Sequence, residues 1–417
     1  MDIEKNYISN KREADIFVRQ LLNIGEAMYQ SGEEISHIEN SLHTLGKSYG
    51  ATHVNVYAIT SSIVITTEFG DDFFITQNRR INRRGNIDCA KMDKLDHLCR
   101  ECAKEPIEVL KLKEAVLEIL KEQPNIRRMY IGQIVAATMF TLFFGGNIKD
   151  AAIAGIGALI ISALQRKIKP FFSAELFFNI FVSFVTGLVV NILNLIIPGI
   201  HVNQIIIGDI MVLIPGIAIT NSIRYILSED IISSFEKLMD SLMQAFGIAT
   251  GFMLSLILIK GKIIDTAPNM DTIGIIIQLL AATFGTAGFC ITFNLRKKHI
   301  LVTTMGGFIC WSVFLIMQYI GANPFASALV SSIIVGIYGV VFAKILKIHT
   351  TILFIPACLP LIPGGNLYYS ARALISSDWD KFSSNIVLLI LYAVGIALGL
   401  AVVVEVKKIY CRIRNKE

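Results

Sequence analysis

The chain has 417 residues, 53% of them apolar, with a mean hydropathy of +0.59 and a formal net charge of +5. That is too apolar for an ordinary water-soluble protein, and the basic residues are too dispersed for a nucleic-acid binder. Of the 71 Lys, Arg, Asp and Glu residues, 38 fall in the first 129 positions (18 basic, 20 acidic), so one region suits water and the other lipid.

Met1 to Arg12 is polar and lacks the apolar core of a secretory signal, so the first spanning helix is expected to direct insertion and leave the N-terminal region in the cytoplasm. In that region Asp15 to Ser31 and Glu33 to Tyr49 carry apolar stripes at helical spacing, broken by Gly32 and ended by Gly50. The period then shortens to two. Val54, Val56 and Ala58 alternate with polar residues, Ile63 to Thr67 is β-branched, and Asp72 to Gln77 is a third strand after the Gly70-Asp71 turn. Residues 88–122 return to helical spacing, which predicts an α+β domain over 1–126.

The seven cysteines are scattered, and Cys290, Cys310 and Cys358 sit in apolar runs, against a disulfide framework. Cys99 and Cys102, with His97 nearby, read as helix residues one turn apart, and no metal or cofactor is expected. Glu26, Glu33, Glu34 and His37 are acid–base capable, but a solvated or capping face accounts for them. The domain also lacks a nucleophile elbow, a zinc signature and a phosphate-binding glycine loop, which disfavours a membrane-anchored enzyme or sensor.

From Tyr130 on, ten apolar runs are expected to span a membrane, at 130–146, 150–164, 173–197, 203–223, 239–260, 272–293, 300–320, 325–343, 350–374 and 386–406. Arg127-Arg128, Arg166-Lys167-Lys169, Arg296-Lys297-Lys298, Lys344-Lys347 and Lys407-Lys408 then share the side of the N-terminus, while Lys260 and Lys262 lie opposite. This predicts cytoplasmic N- and C-termini.

The most informative feature is a repeat offset by 148 residues. Leu213-Ile214-Pro215-Gly216 recurs as Leu361-Ile362-Pro363-Gly364, and Ser222, Arg224, Ser228 and Asp230 match Ser370, Arg372, Ser376 and Asp378. Eight identities in eighteen positions compare with about one from composition. A fainter echo pairs Gln133 and Ala136-Ala137-Thr138 with Gln278 and Ala281-Ala282-Thr283. Two five-helix units follow, 127–262 and 263–417, and an odd number of spans inverts the second, as in many secondary transporters.

Pro-Gly about ten residues into a span predicts a helix broken near the bilayer midplane, tolerated only inside protein or beside a wet cavity. Pro215, Gly216, Thr220, Asn221 and Ser222, with Pro363, Gly364, Asn366, Tyr368, Tyr369 and Ser370, are the expected lining of a substrate site. Arg224 and Arg372 are expected to bind a carboxylate or to gate with Asp230 and Asp378. Asp209, inside an apolar run, is the candidate proton carrier; an interfacial position is its alternative. Asn191 and Asn194 read as cavity or packing residues.

Gly25-Glu26-Ala27-Met28-Tyr29-Gln30-Ser31-Gly32-Glu33-Glu34, then Glu39, Leu42, Leu45 and Gly50, resembles the soluble-domain signature of the threonine/serine exporter family. Thr60 to Thr66, Arg79-Arg80-Ile81-Asn82 and the two LIPG spans fit the same pattern; His37-Ile38 stands where the family has Arg-Val before the glutamate. The resemblance implies a proton-driven exporter of threonine or serine, with succinate-type dicarboxylates as the alternative. The expected partners are that small molecule and membrane lipids, with Arg79-Arg80 and Arg83-Arg84 near anionic headgroups. A homo-oligomer is compatible with the sequence, and a passive channel would need no repeated break.

Overall fold

A computed structural model describes residues 8, 10–70, 73–81, 87–213, 222–223, 225, 231–259 and 272–414. The chain forms two compact units. One is Met1–Asn125 with Phe293–Arg296 and Lys347–Ile352; the other is Ile126–Thr292, Lys297–Leu346 and Leu353–Glu417.

In the first unit α1 (Lys11–Gln30) and α2 (Ile35–Ser48) precede three antiparallel strands, β1 (His53–Ile59), β2 (Ser62–Phe69) and β3 (Phe73–Arg80), in the order β1-β2-β3. The helices α3 (Cys89–Lys104) and α4 (Val109–Lys121) complete it. The register sets Val56 opposite Ile65 and Ile65 opposite Gln77. Ile63, Ile65, Thr67 and Phe69 alternate onto the covered face of β2, as a period of two requires. Helices α1 and α2 lie against the sheet, brought close where a Cβ at Gly25 would sit 2.9 Å from Leu42 and 3.1 Å from Ile63. Gly32 turns the chain between α1 and α2 at φ +100°, a conformation that disfavours side chains.

Several surface assignments change here. Glu33 is buried rather than solvated, because the backbone N–H of Glu33 bonds to the Met28 carbonyl at 3.0 Å and turns the side chain inward. Glu39 accepts a hydrogen bond from the Ala58 N–H at 2.8 Å, tying α2 to β1. Arg79 pairs with Glu26 at 3.2 Å and bonds Asn23, so its charge has partners within the domain. Arg83-Arg84 lies outside the described residues. Cys99 and Cys102 face the core, where burial pushes both thiols up, and His97 turns to Glu101.

The second unit is helical: α5 (Ile126–Phe143), α6 (Ile148–Lys167), α7 (Glu175–Ile196), α8 (Val202–Leu213), α9 (Ile231–Ile259), α10 (Thr272–Thr292), α11 (Lys297–Tyr319), α12 (Pro324–Leu346), α13 (Thr350–Ala357), α14 (Gly364–Ile375) and α15 (Trp379–Arg414). Among the described residues seven are long and apolar enough to cross a membrane, namely α6, α7, α9, α10, α11, α12 and α15; the bent pair from Thr350 to Ile375 would make eight. The other two expected spans do not pass this measure among the described residues: Arg127 and Arg128 open the 18-residue α5, and α8 is described over 12 residues, up to Leu213. Less than half of each apolar window is buried inside protein. Leu159, Phe177, Ile257, Phe284 and Leu301 face outward, which suits lipid and not water.

Two packings recur. Helix α9 approaches α7 at Gly247 and Gly251, where a Cβ would lie 3.0 Å from the Leu176 carbonyl and 2.4 Å from that of Ile180. At the 148-residue offset Gly395 and Gly399 on α15 approach α12, 2.9 Å from the Phe325 carbonyl and 3.0 Å from that of Leu329. Small residues let backbones meet without a hydrophobic drive between helices, as packing in lipid demands. Helices α5 and α10 cross antiparallel, with Gly132 against Gly288 and Thr292, and Phe140 against Gly285.

A side chain at these crossings has nowhere to go. Gly251→Val and Gly288→Val should each destabilise by about 1–3 kcal/mol or more, read as a lower thermal midpoint of the purified chain. An unchanged midpoint would mean that these backbones do not touch.

Candidate functional site

The second LIPG motif does not kink a continuous helix; it begins a new one. Helix α13 ends at Ala357, a short 3-10 turn covers Leu359–Leu361, and α14 starts at Gly364, bent by 44° from the first part. Three prolines remove amide donors along this stretch: Pro356 in α13, Pro360 in the turn and Pro363 at the N-cap of α14. The break is lined by buried residues from Ala357 to Gly365, so the freed carbonyls lie inside protein.

Helix α14 carries most of the expected lining. Tyr368 is buried, edge-on to Phe252 of α9 with ring centroids 6.4 Å apart, in a core with Ile206 and Ile210 of α8. The Ser370 hydroxyl donates to the Asn366 carbonyl at 2.8 Å within the same helix. Half-buried Tyr369 and Arg372 turn toward α8, where Asn203 joins them. Its amide donates to the Tyr369 hydroxyl at 3.3 Å, and Arg372 Nη1 donates to Asn203 Oδ1 at 3.2 Å. The guanidinium also lies 5.8 Å from the Tyr369 ring centroid, within cation–π range. A cation, an amide and a phenol therefore converge, donors and acceptors suited to a small zwitterion or carboxylate.

Asp378 takes no part in this cluster: it caps α15 through the Lys381 N–H at 3.2 Å and pairs with the Lys381 ammonium at 3.4 Å. The expected Arg372–Asp378 pair is thus replaced by an interaction one turn from its own helix start. In the first half, Pro215, Gly216, Thr220, Asn221, Arg224 and Asp230 lie outside the described residues. Ser222 is buried, and its carbonyl accepts from the Ser234 hydroxyl at 2.8 Å.

Asp209 lies six residues beyond Asn203 on α8, roughly 9 Å along the axis at 1.5 Å per residue. Its side chain is fully buried within the protein. Among the described residues neither carboxylate oxygen has a hydrogen-bond partner. Gly157 of α6 makes the room, since a Cβ there would sit 2.0 Å from Asp209 Oδ2. A lone carboxylate in an apolar core is costly unless it takes up a proton or a partner, which is the behaviour required of a proton carrier.

Other polar groups are spoken for. Asn191 bonds Gly187 and Ser255 at the α7–α9 crossing, a packing role, while Asn194 is exposed. Gln133 of α5 joins Ser162 and Gln165 of α6. His201, given no role from the sequence, sits one residue before α8 and pairs with buried Asp150 at 2.9 Å. Asn203 is the residue that sequence reasoning missed. It lies at the start of its expected span, outside the repeated motif, and nothing in its neighbours marks it.

Residues 19–259 match the family model for threonine/serine exporters, and residues 278–406 match a second model, described as "Threonine/Serine exporter, ThrE". A threonine/serine exporter from Corynebacterium glutamicum is 22% identical over 398 residues, covering 90% of this chain and 79% of that protein. No solved structure matches the chain. With the polytopic helical unit and its broken helix, these matches lead to one conclusion: the chain belongs to the threonine/serine exporter family and is a membrane transporter, not an enzyme.

Proposed function

We propose that this chain is a secondary active exporter of threonine and serine, coupled to the proton gradient and working by alternating access in the plasma membrane. Both termini are cytoplasmic. The observation that carries the reading is the junction of α8 and α14, where Asn203 of one half meets Tyr369 and Arg372 of the other, with the buried Asp209 roughly 9 Å further along α8. Arg372 receives the substrate carboxylate, Asn203 and Tyr369 orient its polar groups, and Asp209 carries the proton. In the first half Pro215, Gly216, Thr220, Asn221 and Ser222, gated by Arg224 and Asp230, play the matching part.

The inverted architecture draws support from packing. The antiparallel crossing of α5 and α10 joins the opening helices of the two five-helix units. Two units that begin in opposite directions within one bilayer are related by an axis in its plane. The paired glycine contacts of α9 on α7 and of α15 on α12 repeat within the units at the offset of the LIPG motif. On this reading the chain has ten membrane segments; α13–α14 is the broken span of the second unit, and the first LIPG motif, outside the described residues, is its counterpart in sequence.

Proteoliposomes loaded with labelled threonine, serine or succinate should release one of the two amino acids faster when a pH gradient is imposed. Succinate release alone would move the substrate to the dicarboxylate class, and gradient-independent downhill flux would replace the carrier by a channel. Asp209→Asn should remove the gradient dependence while leaving substrate exchange; wild-type pH dependence in that variant would dismiss Asp209 as the carrier. Arg372→Gln should raise the substrate concentration for half-maximal transport by about tenfold or more, the loss expected for one charge-assisted contact. An unchanged value would remove Arg372 from the site.

A further inference from the structure

A second polar cluster lies in the first unit, apart from the transport residues. Glu33 follows the α1–α2 turn, His37 is on the first turn of α2, and His349 belongs to the Lys347–Ile352 segment of the same unit. One donor atom from each of the three lies within 4.8 Å of the others. His349 Nδ1 is 3.6 Å from Glu33 Oε1, longer than a hydrogen bond but close to the spacing of two ligands on one tetrahedral ion with bonds of about 2.0–2.2 Å. The two imidazoles stack face to face, centroids 3.9 Å apart and planes within 10°.

We propose that Glu33, His37 and His349 form a binding site for a divalent first-row transition ion, zinc before others. Two imidazole nitrogens and one carboxylate oxygen are the borderline donors that zinc takes, whereas magnesium and calcium call for an oxygen shell. The donors are gathered before any ion arrives. An imidazole lone pair lies in the ring plane, so the stacked rings must turn out of parallel, and His37 Nδ1 must leave the Ser41 hydroxyl at 3.4 Å, for both nitrogens to face one ion. Glu33 is fixed by the turn at Gly32 and by its own N–H to Met28, and its side chain is fully buried. His37 is oriented by Asp96, 3.2 Å from its Nε2, and Asp96 is held in turn by Arg100 at 2.8 Å. A carboxylate that orients a ligating histidine is the usual outer support of such a site. The histidine side chains are 21% and 25% exposed, so an ion can enter from that side and keep a water in a fourth position.

The site joins residues more than 300 positions apart in the chain, so an ion there would cross-link the α1–α2 turn to the 347–352 segment. Its affinity should fall as pH drops and the imidazoles protonate.

The test is titration of the purified full-length chain, stripped with chelator, with Zn2+ and with Co2+ as a visible probe. One ion per chain is expected, with the absorption of tetrahedral or five-coordinate cobalt, and the thermal midpoint should rise on zinc addition. His349→Ala and Glu33→Gln should each weaken binding at least about tenfold and remove the zinc-dependent rise, while His43→Ala and His53→Ala, at exposed histidines outside the cluster, should keep both. Since Glu33→Gln alters a buried group and risks misfolding, partly exposed His349 is the deciding position. Wild-type affinity in a folded His349→Ala chain, or no stoichiometric ion in the wild type, would overturn the proposal.

Discussion

The structure of the apolar unit depends on one constraint: away from water, a backbone N–H or C=O left without a partner costs several kcal/mol. An unbroken helix satisfies its own groups, and α7, α9 and α15 do so over long apolar runs. The stretch from Pro356 to Pro363 cannot, because three of its residues have no amide hydrogen. It survives as a turn enclosed by buried residues, and that enclosure obliges the flanking helices to close around it. The polar residues of α14 are thereby brought to α8 instead of to lipid.

Close packing is the second consequence. With apolar side chains as comfortable in lipid as in protein, helices associate where backbones can approach and dispersion contacts are dense. Glycines mark those places here, at Gly132 and Gly288, at Gly247 and Gly251, and at Gly395 and Gly399. Gly157 uses the same freedom differently, since the space it leaves is filled by the carboxylate of Asp209. A residue without a side chain on one helix thus sets the position of a charge-bearing residue on another.

The first unit is patterned differently. Its sheet has a covered face and a solvated face, its helices cover one side, and its ion pairs such as Arg79–Glu26 sit at the surface, where each contributes little. Glu33 and Asp96 depart from that pattern as buried carboxylates, the second with its carboxyl pushed up by burial against the pull of Arg100 and His37. Buried acids beside stacked histidines are not needed to hold a three-stranded sheet, which sets this cluster apart from the rest of the domain.

Hydropathy, period and repetition are local properties, and the sequence by itself determined what depends on them. The helices and strands of the first domain, the apolar helices and a break at the second LIPG follow from spacing alone. Contacts across distant segments depend on how helices are brought together, and only the tertiary structure decided those. Asn203 is one amide among many until α14 sets Arg372 and Tyr369 against it. Asp209 is one carboxylate in an apolar run until Gly157 is seen to make room for it, and Glu33 reads as a solvated acid until the Gly32 turn points it inward. Asp378 was expected to gate with Arg372, yet it pairs with Lys381 one turn along its own helix. The reason is common to all four: a side chain's partner is fixed by three-dimensional proximity, and one-dimensional spacing encodes that only within a single element.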